Sequence, residues 1–164
     1  VLMVLTGCLT MDEAYQSIDW RSIFLIAGML PLGLAMENTG TARFLAERIV
    51  GLVGPLGPLA VLAGIYILAS LITEPMSNAA AAVLMVPIGI DAALSLGADP
   101  RPFVLAIVIG ASTSFLTPVG HQSNILVMEP GGYRFTDYTK VGAPLNLALL
   151  IAIMIFLPLF WPLF

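Results

Sequence analysis

"LITEPMSNAAAAVLMVP", residues 71–87, sets a carboxylate, a proline, a serine and an asparagine into an otherwise apolar run. Pro75 has no amide donor and fits poorly inside a helix, so a helix arriving through Thr73 opens there and a second starts near Asn78. An opened helix leaves carbonyls unpaired on one side of the gap and amides unpaired on the other. The carbonyl end draws a cation and the amide end an anion. Two arrangements fit these residues: a surface turn between two ordinary spans, or a re-entrant hairpin whose tip, residues 73–79, sits inside a bilayer. The alanine run Ala79–Ala82 allows close approach of a ligand, and equally allows plain helix packing.

The surrounding composition identifies the solvent. Of 164 residues 59% are hydrophobic and only 10% are charged, too little polar surface for a soluble domain of this size. Uncharged stretches run from Ser22 to Met36, Ile49 to Thr73, Met76 to Ile90, Phe103 to Met128 and Val141 to Phe164. A spanning helix needs about 20 apolar residues, and the first and third stretches fall short of that. Both meet a proline, Pro31 or Pro75, so broken helices are expected. The net charge of −4 is scattered, which leaves no basic patch for nucleic acid. Cys8 is the single cysteine, so no intrachain disulfide and no thiolate metal site are expected.

Working outward, the chain divides as follows. Residues 1–10 read as the end of a truncated transmembrane helix, since Val1 stands in mid-hydrophobic flow and no signal peptide is visible. Residues 11–54 read as a transmembrane helix with flanking interfacial helices: Thr10 and Glu13 have capping-box spacing, Trp20 suits the headgroup level, and "TARFLAERIVGLVG" reads as a surface-lying connector. The hairpin occupies 55–97, with helices expected over about Leu59–Thr73 and Asn78–Leu96. A discontinuous helix occupies 98–130, broken at 117–124. A polar loop, 131–144, and a terminal transmembrane helix, 145–164, complete the chain. Asp91, Asp137 and Lys140 are expected at interfaces. Basic residues divide evenly between the two sides, so loop charge does not orient the set.

"TPVGHQSN", residues 117–124, echoes "TEPMSN", residues 73–78: threonine, proline, then Ser-Asn inside an apolar run. Two such breaks facing each other would line a cavity with neutral donors and acceptors, suited to a small anion and a monovalent cation. Enzyme chemistry is poorly supported, for the sequence has no paired aspartates, no metal-ligand histidine set and no serine with a recognisable base.

The stretches "TEPMSNAAAAVLMVPI", "SFLTPVGHQSNILV" and "PGGYRFTDYTKVGAPLNL" resemble the C-terminal half of permeases of the divalent anion:sodium symporter family, the solute carrier 13 type, within the ion transporter superfamily. The likeness covers nearly the whole chain. It implies an all-α integral membrane protein, one inverted repeat of a secondary transporter with a re-entrant helical hairpin and a discontinuous transmembrane helix. It further implies a missing N-terminal repeat, a homodimer, and a location in the bacterial inner membrane. Ser77 and Asn78 would contact the anion, with Ala79 where many members have threonine, and His121 and Asn124 would face it from the second break. Sodium, the coupling ion in place of any cofactor, would be held by Thr73, Asn78 and the backbone carbonyls of Met76 and Gly120. "GHQSN" also resembles the sulfate permeases of the superfamily, so sulfate and dicarboxylates are both expected substrates. His121 reads either as a packed, hydrogen-bonded core residue or as a pH-sensitive anion contact. Glu74 requires a partner if it lies in the bilayer, and reads as a wet turn residue, as added charge at the cation site, or as a titrating group in a proton-coupled variant. A non-transporting membrane subunit is the remaining alternative.

Overall fold

The computed structural model describes residues 2–16 and 38–163, with Trp20, Phe24, Ala27, Gly28, Pro31, Leu34 and Ala35 between them. The span expected from about Trp20 to Met36 therefore lies mostly outside the described residues. Among the described residues all regular structure is helical: α1 (Leu2–Leu5), α2 (Met11–Gln16), α3 (Thr41–Val53), α4 (Pro58–Ile72), α5 (Asn78–Ser95), α6 (Pro100–Ser112), α7 (Gln122–Met128) and α8 (Phe135–Phe160), with single 3-10 turns at Gly54–Leu56 and Pro118–Gly120.

Local chemistry sets most helix starts. Thr10 N donates to Glu13 Oε2 at 2.9 Å and Glu13 N donates to Thr10 Oγ1 at 3.3 Å, the reciprocal capping box that opens α2. Gly57, with φ 96, turns the chain into Pro58, whose missing amide costs nothing in a first turn. Asp99 caps α6 by accepting from Arg101 N at 2.9 Å. On α3 an Arg43–Glu47 pair at 2.8 Å follows the i,i+4 rule and stays exposed, as the connector reading requires.

The core is a three-helix layer of α4, α5 and α6. Leu62, Ile65 and Tyr66 from α4 meet Met85 from α5 and Phe103 and Ile107 from α6, all fully buried. Gly110 makes the closest approach possible, since a Cβ there would stand 2.8 Å from Tyr66 O. α3 packs on the α4 and α5 side, and α8 on the α4 and α6 side.

Helix length sorts the set. The 15 residues of α4 rise about 22 Å and the 13 of α6 about 20 Å, short of the ~30 Å hydrocarbon core. By length and composition α5 and α8 are long and apolar enough to cross it. They differ in burial: 28% of the apolar window of α5 is buried, against 11% for α8. α8 buries Ile153 and Leu157 and exposes Leu147, Ile151, Ile155, Phe156 and Leu159, a surface suited to lipid or to a protein partner.

Two expected boundaries move. The terminal helix starts at Phe135, not near Leu145, so the polar loop of 131–144 is irregular only as far as Arg134. Arg134 N donates to Asp137 Oδ2 at 2.9 Å, and Lys140 Nζ meets Asp137 Oδ1 at 3.0 Å, so the polar residues that suggested a loop instead cap and staple a first turn. The second helix break spans 113–121, earlier than 117–124. Thr113 Oγ1 folds back to Gly110 O at 2.8 Å, which ends α6, and Gln122, Ser123 and Asn124 already belong to α7.

Candidate functional site: two helix breaks joined at Glu74

The first break, 73–77, falls where Pro75 predicts it. α4 ends at Ile72 and α5 begins at Asn78. Thr73 is fully buried, with its hydroxyl 2.7 Å from Asn78 Oδ1 and 2.8 Å from Ala111 O. A hydroxyl has one proton, so it donates to one of these at a time. Ser77 caps α5 by accepting from Ala80 N at 3.1 Å, and its hydroxyl is exposed. Ala79 is exposed beside it, and Met76 is buried.

The second break is held from outside itself. Glu74 reaches across from the first break: Leu116 N donates to Oε1 at 3.0 Å and Thr117 Oγ1 donates to Oε2 in a short hydrogen bond. Gly120 N in turn donates to Thr117 Oγ1 at 3.2 Å. Two of these donors, Leu116 N and Thr117 Oγ1, serve the Glu74 carboxylate, and the third, Gly120 N, serves Thr117. Gly120 lies so close that a Cβ there would stand 2.5 Å from Glu74 Oε2 and 2.9 Å from Ser114 Cβ. Among the described residues the ion pairs are Arg43–Glu47, Arg101–Asp99 and Lys140–Asp137, and none involves Glu74.

Of the residues singled out in the sequence, Thr73 and Asn78 are in contact, and Glu74 stands against Gly120. Asn124 turns inward, its Nδ2 donating to Ser114 O at 3.0 Å and Thr117 O at 3.4 Å, so it braces the break with its amide. His121 is exposed and not a packed core residue. Its Nδ1 accepts from Ser123 N at 3.3 Å as the cap of α7 and lies 2.7 Å from Ser123 Oγ. No hydrogen bond ties His121 or Asn124 to Ser77, Asn78 or Ala79 among the described residues. A cavity of about 290 Å³ beside the second break is largely apolar, lined by Phe115, Val127, Tyr138, Val141 and Leu145 with Asn124 at its edge.

A third polar group escaped the sequence reading. Asn146 Nδ2 donates to Ser70 Oγ at 2.9 Å and Thr113 O at 3.2 Å, tying α8 to α4 and to the start of the second break. Its Oδ1 is buried without a hydrogen-bond partner. Thr139 Oγ1 donates to Leu116 O at 2.8 Å, so two residues of α8 hold the break, and Tyr138 OH donates to Asn124 O at 2.6 Å, which ties α8 to α7 as well. The available signal was Asn146 itself, a lone amide in "PLNLALL" where an unpaired polar group is costly.

Among the described residues two helices, α5 and α8, are long and apolar enough to cross a membrane, and two shorter apolar helices, α4 and α6, end at hydrogen-bonded polar breaks. The chain belongs to the citrate transporter family, whose model matches residues 1–107. It is 46% identical over 150 residues to an uncharacterised transporter of Synechocystis sp., covering 92% of this chain and 24% of that protein. An uncharacterised transporter of Escherichia coli is 36% identical over 162 residues, 99% of this chain and 27% of the relative. Sodium/sulfate cotransporter 1 of Chlamydomonas reinhardtii is 36% identical over 151 residues, 92% of this chain and 17% of the relative. The chain thus spans about a quarter or less of the length of these relatives.

Proposed function

We propose that this chain is the C-terminal repeat of a longer secondary transporter, a sodium-coupled symporter for a small divalent anion, sulfate or a dicarboxylate. The observation that carries the reading is the junction of the two breaks through Thr73 and Glu74. It brings the carbonyl end of α4, with its negative dipole, beside the hydroxyl and amide oxygens of Thr73 and Asn78 and next to Gly120. Thr73, Asn78 and the carbonyls of Met76 and Gly120 are the sodium ligands in this reading, a set of hard oxygens suited to an alkali cation. The anion is taken at the other side of the same gap, by Ser77, Asn78 and the first amides of the 18-residue α5 beside Ala79. His121 and Asn124 complete the wall.

Support for the substrate class comes from the named activity of the Chlamydomonas cotransporter. The hairpin α4–α5 is re-entrant in this reading, because α4 is too short to cross a bilayer alone. The exposed apolar face of α8 serves contact with lipid, with the N-terminal repeat or with a second subunit of a homodimer in the inner membrane.

The test is uptake of radiolabelled sulfate and of succinate into vesicles bearing the full-length protein, with and without an inward sodium gradient, beside Asn78→Ala. Sodium-driven uptake of one anion, abolished in the variant, is the expected result. Uptake driven by a proton gradient instead would replace the coupling ion, and no uptake under any gradient would leave a non-transporting subunit.

A further inference from the structure

Glu74 is the group for which the sequence leaves several roles open. The structure places its carboxylate between the two breaks, with every identified donor supplied by the second one. Two features make the arrangement unusual. First, no cationic side chain pairs with it among the described residues, although a half-buried carboxylate needs a compensating charge. Second, its oxygens are already engaged: Leu116 N and Thr117 Oγ1 fill them, and the backbone at Gly120 presses against Oε2. A carboxylate so engaged is a poor direct ligand for a cation, yet its charge acts over several ångströms in a medium of low dielectric. Its neighbours are Thr73, one residue before it in the chain, and Gly120, whose backbone lies against Oε2, two residues of the proposed cation site.

Resting on the sodium-site reading above, we propose that Glu74 is a positioning residue that sets the cation affinity of the site without touching the cation. It locks the loop 116–120 onto the hairpin tip, which fixes the Gly120 carbonyl relative to Thr73 and Asn78, and it supplies the negative charge that balances the bound ion. The hydrogen-bond chain from Gly120 N through Thr117 Oγ1 to Glu74 is the mechanical part of the device. The uncompensated charge is the electrostatic part. Gly120 is required in the same device, because any side chain there would push the carboxylate off its donors.

The experiment compares wild type, Glu74→Gln, Thr117→Val and Thr117→Ser in the full-length protein, reading the sodium concentration for half-maximal anion uptake separately from maximal uptake at saturating sodium. Loss of one charge-assisted hydrogen bond predicts a rise of about tenfold or more in that concentration for Glu74→Gln. Thr117→Val shifts it in the same direction, Thr117→Ser restores it, and maximal uptake is retained. A Glu74→Gln and Thr117→Val double variant is no worse than Glu74→Gln alone, because both break one chain. Should Glu74→Gln fail to reach the membrane, the Thr117 pair carries the test by itself. Wild-type sodium dependence in Thr117→Val and Glu74→Gln overturns the proposal while leaving the sodium site standing. Loss of pH dependence in Glu74→Gln assigns it a proton-carrying role and overturns it too. A wild-type protein indifferent to sodium refutes the underlying reading, and this inference falls with it.

Discussion

At residues 73–77 the chain closes its gap largely with near neighbours, Thr73 meeting Asn78 and Ser77 capping Ala80 N with Ala111 O as the one distant partner of Thr73, whereas at 113–121 it borrows mostly from distant ones. The second break accepts or donates through Glu74, Asn146 and Thr139, which stand 42, 33 and 23 positions from the groups they hold. The difference has a physical source. A proline and two helix caps make a short gap nearly self-sufficient, because a cap satisfies an orphan amide a few residues away. A nine-residue gap exposes more backbone than its own side chains can serve, and buried backbone groups do not stay unpaired. The first break is therefore a local feature that other elements pack around, and the second exists only in the assembled fold.

The sharpest way to break this comparison is at Gly142. A Cβ there would collide with the carbonyl of Phe115, backbone against backbone, so Gly142→Ala must push α8 away from the second break. The expected loss is about 1–3 kcal/mol or more, seen as a lower thermal midpoint of the detergent-solubilised full-length protein. An unchanged midpoint would mean that α8 does not seat on the break.

Next in size is Asn146→Ala, which strips the donor from Ser70 Oγ and Thr113 O at a cost of about 1–3 kcal/mol. Faster amide exchange confined to 113–121, with 73–77 unchanged, is the expected pattern. Equal loosening of both would erase the distinction between a local and a borrowed closure. Smallest is Ser77→Ala, expected to cost about 0.5–1 kcal/mol through loss of the cap, against a few tenths for Ser77→Gly. If the alanine variant were as damaging as Asn146→Ala, the first break would depend on more than its own cap.

The sequence made the first break legible because each of its determinants is a residue type with a fixed local effect: Pro75 opens the helix, Ser77 restarts it, and Thr73 and Asn78 sit within reach of each other. It made the second break legible only in outline. "TPVGHQSN" marked the region, but the break begins at Thr113, whose backbone is held by Ser70 and Asn146 from other helices. The start of α8 was misplaced for a related reason. Arg134, Asp137, Tyr138, Thr139 and Lys140 look like a polar loop in a linear reading, and become a helix because their polar atoms cap, pair along one face and reach the break. His121 was open between a packed core residue and an anion contact, and the core reading falls, because its ring is exposed and caps α7.

By itself, then, the sequence determined the apolar character, the helical class and the position of the first gap, since hydrophobicity and proline act without regard to distant partners. The tertiary structure decided what Glu74 does. The donors that its carboxylate takes, Leu116 and Thr117, lie 42 and 43 positions along the chain and meet it only when α6, packed against α4, carries the second break to the first.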